Sequence, residues 1–432
     1  MTERRSEPGG PSGRAAGVVL VLFERLSTDH TRGFGFMGYR LARRLHEAGL
    51  LRAMVCLQKE AGVDIPSHLT HTLDESFSFK VLHRIIAWAS RLLPFFNARL
   101  AEELLFDLFV CRKAEMRPGE LLFYSRPLFL NSLQRAQRAG MQVWVQASIP
   151  HPLANYALVR NEELRLGLPS RGAYSDATRA VRLARTIAAA DKLVTMHPNI
   201  GKYAYDSYLE FLGPDKVVPL EHFFGVDPAG FAKPQAADAE AAGESEGPTF
   251  LHVSHMNLIK GIPYLLEAWE RFKQDPESRG SRLLLVGQRD ENLDGLIRQR
   301  YSKLPDLEMS GYVPDLLPYL ARADVFVSPS ISDNGPGTIA ESMAAGMPVV
   351  SSTNCGFASL ITEGEDGFTY RFNDVDRLVE ILRWFAEHRS EIGDMGRKAR
   401  TNIEHLSVDR YADELVGIFQ AAARSTEHPP RA

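Results

Sequence analysis

Short apolar runs alternate with amphipathic helical patterns along the first half of the chain. The runs lie at residues 18–23, 54–57, 121–124, 143–146, 193–195 and 217–220. After the first run, Leu41, Leu45 and Ala48 recur at helical spacing, and Gly49 is a typical helix stop. Alternation of this kind predicts parallel sheets covered by helices.

The second half repeats the same alternation. Strands are predicted near Phe250, Leu283, Val325 and Val349, and helices over 263–272, 315–323, 340–345 and 375–387. Since 432 residues exceed what one core usually organises, the chain is expected to form two Rossmann-like domains. The predicted boundaries are a flexible tail (1–15), a first domain (16–231), a linker without large apolar residues (232–248), a second domain (249–406) and a final amphipathic helix (407–424).

Composition narrows the class of protein. An apolar fraction of 44% with 24% charged residues is typical of a soluble globular protein, and a net charge of -4 argues against a nucleic-acid partner. Three widely spaced cysteines indicate neither a disulfide framework nor a zinc site, so a cytoplasmic location is expected. The apolar run 18–23 is shorter than a signal-peptide core or a membrane span.

The most informative chemistry lies in the segment SDNGPGTIAESMAAGMP, residues 332–348. Gly335 and Gly337 allow a sharp turn and close approach of a ligand, and the helix predicted after them offers free N–H groups to an anion. Asp333 and Glu341 bracket the turn, and ionised carboxylates accept hydrogen bonds from sugar hydroxyls. This combination suits a sugar joined to a phosphate.

The segment resembles the acid-x7-acid signature of the retaining glycosyltransferases of family 4. Further pieces of the pattern appear in the expected order: FLHVSHMNLIKG (250–261), LLLVG (283–287), GYVPDLLPYLARADVFVSPS (311–330), GMPVVSS (346–352) and ITEGEDGF (361–368). The resemblance implies an α/β fold of the GT-B type, in which two Rossmann-like domains face each other across a cleft. It also implies an acceptor-binding first domain, a donor-binding second domain and a final helix that crosses back to the first.

The resemblance assigns roles in the second domain. Lys260 would contact the donor diphosphate, although a surface lysine at a helix start is the alternative. Glu341 would hold the ribose hydroxyls. Asp333, which replaces the more usual glutamate, would contact the transferred sugar, or else act as a helix N-cap. The implied donor site also includes the turn residues Asn334, Gly335, Gly337 and Thr338.

Several histidines and glycines remain ambiguous. His255 stands where many relatives carry an arginine, so a cation clamp there would depend on protonation; a packed or solvated histidine is the alternative. His151 follows a predicted strand and matches a histidine that contacts the donor sugar in relatives, although IPHP could also be a structural turn. His197 and His222 lie at comparable strand ends. The glycine pair after the first strand, Gly33 and Gly35, suits either close approach of the donor phosphates or simple turn chemistry.

These observations predict a retaining glycosyltransferase that uses a UDP-, GDP- or ADP-sugar and transfers to a saccharide or lipid-linked acceptor, with a cell-envelope polysaccharide favoured. The alternatives are a nucleotide-sugar 2-epimerase of the same fold and a binding scaffold without catalysis. No metal is expected, because the helix start and Lys260 could stabilise the departing diphosphate. The D-x-D string Asp374–Asp376 is of a type that holds a metal in the other large glycosyltransferase fold, but it lies at a predicted helix start, where acids favour the helix dipole.

Residues 77–111 combine basic, aromatic and aliphatic side chains. This pattern fits either peripheral contact with the inner face of the cytoplasmic membrane or helices that cover the first sheet.

Overall fold

The computed structural model describes residues 17–30, 33–93, 96–147, 149–170, 172–222, 228–231 and 246–427. Within these ranges the strands form two parallel sheets, one of seven strands and one of six. The predicted tail 1–15 and nearly all of the predicted linker 232–248 lie outside the described residues.

The first sheet has the strand order β3-β2-β1-β4-β5-β6-β7. Its strands are β1 (Val18–Leu26), β2 (Leu51–Lys59), β3 (Thr70–Thr72), β4 (Leu121–Tyr124), β5 (Gln142–Gln146), β6 (Lys192–Met196) and β7 (Val217–Leu220). Its helices are α1 (Phe34–Glu47), α2 (Phe77–Leu92), α3 (Ala98–Lys113), α4 (Leu130–Arg138), α5 (Pro152–Leu166), α6 (Ala177–Ala189) and α7 (Pro198–Leu209). The near-continuous apolar run of β1 is buried because helices cover both faces of the sheet.

The second sheet has the order β10-β9-β8-β11-β12-β13. Its strands are β8 (Thr249–Val253), β9 (Arg282–Val286), β10 (Leu307–Gly311), β11 (Val325–Ser328), β12 (Val349–Ser352) and β13 (Gly367–Tyr370). Its helices are α8 (Ile262–Phe272), α9 (Glu291–Tyr301), α10 (Leu317–Arg322), α11 (Gly337–Ala344), α12 (Val375–Glu387) and α13 (Arg389–Ile403). In both sheets the strand order reverses next to the first strand of the domain, and the carboxyl ends of strands at such a reversal are where open α/β folds bind ligands.

The last helix, α14 (Val408–Glu427), packs against α1 of the first domain. Phe419 lies between the rings of Phe123 and Trp144, at centroid distances of 5.1 and 5.7 Å. The Glu414 carboxylate accepts hydrogen bonds from the backbone N–H groups of Glu221 and His222, each at 3.0 Å. The buried positions on α14 include Tyr411, Leu415 and Phe419, three residues of the apolar stripe in the sequence.

The two domains also meet directly beside the acidic turn. Helix α7 packs against a short 3-10 helix, Gly356–Leu360. The hydroxyls of Tyr203 and Ser332 lie 2.9 Å apart across this contact. On the other side of the cleft, the Tyr264 hydroxyl donates to Oε2 of Glu162 over 2.6 Å. The segment that carries Asp333 is therefore held by both domains.

Candidate functional site in the interdomain cleft

A cavity of about 630 Å³ lies between the two domains. The first domain contributes residues at the end of β1 and the start of α1, and the second contributes the ends of β8 and β9 and the first turns of α11. The lining includes Glu24, Gly33, Phe34, His255, Thr338 and Glu341. Of the residues that the sequence assigned to the donor site, four therefore line one cavity: Gly33, His255, Thr338 and Glu341.

The first turn of α11 borders this cavity. The helix begins at Gly337, Pro336 occupies the N-cap position, and no side chain caps the free N–H groups. Ile339, Ala340 and Met343 face the core, which turns Thr338 and Glu341 toward the cavity. An uncapped helix start of this kind can hydrogen-bond an anion.

Glu341 is only partly exposed, on the lining of the 630 Å³ cavity. Burial raises the pKa of its carboxyl group from 4.5 to about 7. The side chain can therefore gain from a hydroxyl donor that stabilises its ionised form, as the sequence-based role at a ribose requires.

Gly33 and Gly35 differ in what surrounds them. Gly33 is the N-cap of α1, has a φ of +50° and has no atom within 4 Å of the position that a Cβ would occupy. A Cβ on Gly35 would overlap the carbonyl oxygen of Arg25. Gly33 thus leaves space in the cavity, whereas Gly35 allows α1 to pack against β1.

Lys260 and Asp333 form an ion pair, and neither residue lines the 630 Å³ cavity. Lys260 ends a short 3-10 helix, Leu258–Lys260, and the next residue, Gly261, has a φ of +70°. Burial lowers the pKa of Lys260, but the neighbouring Asp333 carboxylate outweighs this effect and raises the pKa above 10.5. Asp333 does not cap α11, because the helix starts at Gly337.

The turn residues Asn334 and Gly335 face the first domain. The Asn334 amide donates to the carbonyl oxygen of Ala147 over 2.9 Å. A Cβ on Gly335 would overlap the methyl group of Met196. These positions therefore hold the two domains together in this conformation, a role that the sequence analysis did not assign to them.

His151 lines neither the 630 Å³ cavity nor a smaller cavity, of about 310 Å³, that adjoins it. It is 4% exposed, stacks on Phe211 at a centroid distance of 3.8 Å and approaches Tyr208. Burial lowers the pKa of its imidazole from 6.5 to about 4, so the ring is neutral at pH 7. In this conformation it packs between α5 and α7.

The other three candidate histidines lie in different surroundings. Nδ1 of His197 accepts a hydrogen bond from the Asn199 N–H at the start of α7. His222 meets α14 through its backbone N–H. His255 is exposed and lines both cavities, so of the four candidates it is the one placed at the cleft.

A second cavity of about 310 Å³ adjoins the first. The ion pair of Arg126 and Glu24, with Nε and Oε1 2.6 Å apart, separates the two: Glu24 lines the larger cavity and Arg126 the smaller. The Arg126 guanidinium also lies 4.5 Å from the centroid of the Phe34 ring. Sequence reasoning missed this pair. A usable signal was present, because Glu24 directly follows the apolar run 18–23 and Arg126 comes two residues after the run 121–124, and these two strands are neighbours in the sheet.

The Asp374 carboxylate caps α12 by accepting from the Arg377 N–H, and Asp376 pairs with Arg271. Among the residues described, no group of three or more His, Cys, Asp or Glu is arranged to hold a metal ion. The helices described include none long and apolar enough to cross a bilayer.

Solved structures of known proteins superpose on this chain and identify its fold. Sucrose-phosphate synthase from Thermosynechococcus elongatus superposes with a TM-score of 0.65 at 17% identity, covering 95% of this chain and 100% of that one. HepE from Anabaena, in complex with UDP and glucose, superposes with a TM-score of 0.60 at 14% identity, covering 94% and 100%. The chain has the GT-B fold.

Sequence similarity is concentrated in the second domain. Residues 247–388 match the family described as glycosyl transferases group 1. An uncharacterised glycosyltransferase of Haemophilus influenzae is 27% identical over 180 residues, 40% of this chain and 49% of that protein. The putative colanic acid biosynthesis glycosyltransferase WcaL of Escherichia coli is 29% identical over 181 residues, 40% and 44% of the two chains. The chain therefore spans about half the length of the curated relatives that it matches.

Proposed function

We propose that this GT-B protein is a retaining glycosyltransferase of the family 4 type that transfers a sugar from a nucleotide-sugar to a hydroxyl group of an acceptor. The observation that carries the proposal is the 630 Å³ cavity, where Glu341 and the uncapped start of α11 meet Gly33 at the start of α1. The similarity of residues 247–388 to glycosyl transferases group 1 supports it.

We infer one orientation for the donor in this cavity. Its diphosphate would lie against the N–H groups at the start of α11 and beside Gly33, where the helix ends are positive. Its ribose hydroxyls would donate to Glu341. UDP-, GDP- and ADP-sugars all carry these groups; that HepE was solved with UDP favours a uridine donor among them.

Asp333 and Lys260 would act together at the sugar end. The two form an ion pair in this structure; in the proposed complex the Asp333 carboxylate would contact the transferred sugar and the Lys260 ammonium group would contact the departing diphosphate. The acceptor hydroxyl would attack the anomeric carbon from the face that the diphosphate leaves, and its proton would pass to the leaving phosphate oxygen. The helix ends and Lys260 would stabilise the charge on that oxygen, so the proposal includes no metal.

The 310 Å³ cavity would take the acceptor, because it adjoins the donor cavity and is lined mainly by the first domain. A cell-envelope polysaccharide or lipid-linked saccharide is the acceptor class that we favour. The colanic acid assignment of WcaL and the amylovoran assignment of a relative from Erwinia amylovora support it. An epimerase would have no use for such a second site.

A thermal-shift screen against UDP, GDP, ADP and their common sugars, without metal, tests the proposal. A ligand that binds the native state raises the melting temperature, and we expect this rise with one nucleotide family. Glu341→Ala and Lys260→Ala should reduce it, whereas Glu404→Ala, which removes an exposed carboxylate, should not.

Turnover then separates the candidate activities. Release of nucleoside diphosphate that depends on an added acceptor and persists in EDTA supports a metal-independent transferase, and turnover without acceptor supports an epimerase. If no nucleotide shifts the melting temperature, the donor site is refuted and a binding scaffold becomes the better description.

A further inference from the structure

Two arginines on the wall of the 310 Å³ cavity share one buried carboxylate, that of Glu103. Nε of Arg99 donates to Oε1 of Glu103 over 3.0 Å, and Nη2 of Arg179 donates to the same oxygen over 2.8 Å. Nε of Arg179 contacts both oxygens of the carboxylate, each at 3.0 Å. Two guanidinium groups therefore meet one carboxylate, which leaves one positive charge in excess at this wall.

The other carboxylates near this wall are engaged elsewhere. Asp176 is the N-cap of α6, where it accepts a hydrogen bond of 2.8 Å from the backbone N–H of Arg179. Oε2 of Glu163 accepts from Arg160 over 2.6 Å. Asp290, on the opposite wall, directly precedes α9, where the helix dipole favours a negative charge. The third arginine of the cavity is paired with Glu24, so the excess charge lies at the first two.

The Arg99 side chain is held in place with part of its guanidinium group left for a ligand. Its Nε is used by Glu103, and the group lies 4.7 Å from the centroid of the Phe23 ring. In the described part of the chain, Nη1 and Nη2 of Arg99 donate to no other residue, and the side chain is 37% exposed. An arginine oriented in this way can bind a carboxylate or a phosphate with little further loss of side-chain entropy.

The opposite wall, from the second domain, offers a hydrogen-bond acceptor. Asn257 lines the cavity, and its Oδ1 is buried without a hydrogen-bond partner among the described residues. An unpaired buried acceptor is costly, and a sugar hydroxyl is a donor that would satisfy it. Leu128, Ile149 and Val159 supply apolar lining between the polar groups, which suits the C–H surface of a sugar ring.

We propose that the acceptor of this protein is an acidic saccharide, whose carboxylate or phosphate group binds Arg99 while one of its ring hydroxyls donates to Oδ1 of Asn257. The inference rests on the proposed function, because it names the class of acceptor for the cavity assigned to the acceptor there. A neutral saccharide fits less well, because it would leave the excess charge of Arg99 and Arg179 without a counter-ion in a partly buried site.

Binding of small sugars to the full chain, without any nucleotide, tests the proposal. The probes are methyl β-D-glucoside, the same glucoside phosphorylated on its primary hydroxyl, and methyl β-D-glucuronide, which carries a carboxylate at that position. In titrations followed by NMR, we expect at least one anionic probe to bind about tenfold more tightly than the neutral glucoside. The anionic probe that binds more tightly distinguishes a carboxylate from a phosphate. Equal affinities for all three probes would overturn the proposal.

Variants locate the anion. Arg99→Gln should remove the preference for the anionic probe, and Arg99→Lys, which keeps the positive charge, should retain part of it. Arg112→Gln, at an exposed arginine in the last turn of the same helix, should leave the preference unchanged. Asn257→Ala should weaken all three probes alike, because the lost contact is to a hydroxyl that they share. A preference that survives Arg99→Gln would place the anion at another site and contradict the proposal.

This assay and the nucleotide screen can fail separately. A preference that depends on Arg99, together with no thermal shift for any nucleotide, would support the anionic saccharide site and refute the transferase. A nucleotide shift with no preference among the probes would keep the transferase and overturn the acidic acceptor. In turnover with the donor, Arg99→Gln should raise the KM for a glucuronide acceptor about tenfold with a smaller change in kcat, because the contact is made before and during transfer.

Discussion

The ammonium group of Lys260 donates a hydrogen bond to Oδ2 of Asp333. The resemblance at sequence level assigned these residues to opposite ends of the donor, one to the diphosphate and one to the sugar. Their pairing means that each side chain is already compensated before a ligand binds. A donor would therefore redistribute an existing charge pair, and neither residue has to remain as an isolated charge in the cleft.

A double-mutant cycle measures this pair. Lys260→Met and Asp333→Asn should each lower the free energy of unfolding by about 1–3 kcal/mol, because each leaves a partly buried partner unpaired, and the double variant should lose less than the sum. The same cycle on the exposed pair Lys398 and Asp394 should show no measurable coupling. Additive losses at Lys260 and Asp333 in urea unfolding would contradict the pairing.

The pKa of Lys260 determines the pH range over which its ion pair with Asp333 stabilises the folded protein. Because the folded pKa is raised above 10.5, the stabilisation is fully present at neutral pH and is lost only as the pH rises through the folded pKa. The difference in unfolding free energy between wild type and Lys260→Met should therefore stay constant across the neutral range.

The pKa of Glu341 is also raised on folding, so stability should again fall with rising pH, but here between about pH 4.5 and 7. Its folded pKa of about 7 lies above the ordinary value of 4.5, so the unfolded chain releases the proton first and stability falls as the pH rises between these values. Glu341→Gln removes this penalty. The variant should be more stable than wild type by about 1–3 kcal/mol at pH 8 and should lose that advantage in acid. Parallel pH profiles of the two proteins in urea unfolding would contradict the assignment.

Gly356 and Gly337 lie near the acidic turn and differ in the space available for a Cβ atom, so alanine variants of the two can be compared directly. A Cβ on Gly356 would overlap the backbone carbonyl of Asn334, whereas one on Gly337 would find its nearest neighbour, Oε1 of Glu341, at 3.4 Å. Gly356→Ala should lower the free energy of unfolding by about 1–3 kcal/mol. Gly337→Ala, in the first turn of α11, should be neutral or stabilising by up to about 1 kcal/mol. Equal melting temperatures for the two variants would refute this packing.

His151→Phe distinguishes packing from catalysis. With a folded pKa near 4, the imidazole must gain a proton on unfolding below about pH 6.5, so wild-type stability falls as the pH drops from 6.5 toward 4. Phenylalanine keeps the stack on Phe211 and removes this loss, so the variant should gain about 1–3 kcal/mol relative to wild type by pH 4. Loss of donor turnover in a variant with an intact fold would show instead that His151 reaches the substrate.

Apolar periodicity predicted the elements that form the two cores. The run 121–124 is the strand observed, and the helix over 375–387 has the observed bounds. Three edge strands were missed: β3 consists of Thr70, His71 and Thr72, and β10 and β13 carry little of the continuous apolar character that marks a central strand. An edge strand forms because it pairs with the one strand beside it, so its own sequence needs little apolar pattern and gives little signal.

Contacts between the domains account for most of what the sequence left open at the site. Gly335 in a Gly-Pro-Gly turn suggested room for a phosphate, yet it faces Met196, a residue at the end of a strand in the other domain. Local spacing cannot reveal which distant side chain fills the space beside a glycine. Glu341 and Thr338 line the same cavity, because one helical turn fixes their relation, whereas their contact with a donor stays a prediction.

The N–H groups of Glu221 and His222 donate hydrogen bonds to the Glu414 carboxylate on α14, and this contact bears on how the first domain is completed during synthesis. Phe419, on the same helix, fills the gap between Phe123 and Trp144, so the surface of the first sheet is finished by residues near the end of the chain. During translation the first domain emerges well before that helix, so those rings stay uncovered until α14 has left the ribosome. Synthesis of α14, and not completion of residue 231, is therefore the event that covers this part of the first sheet.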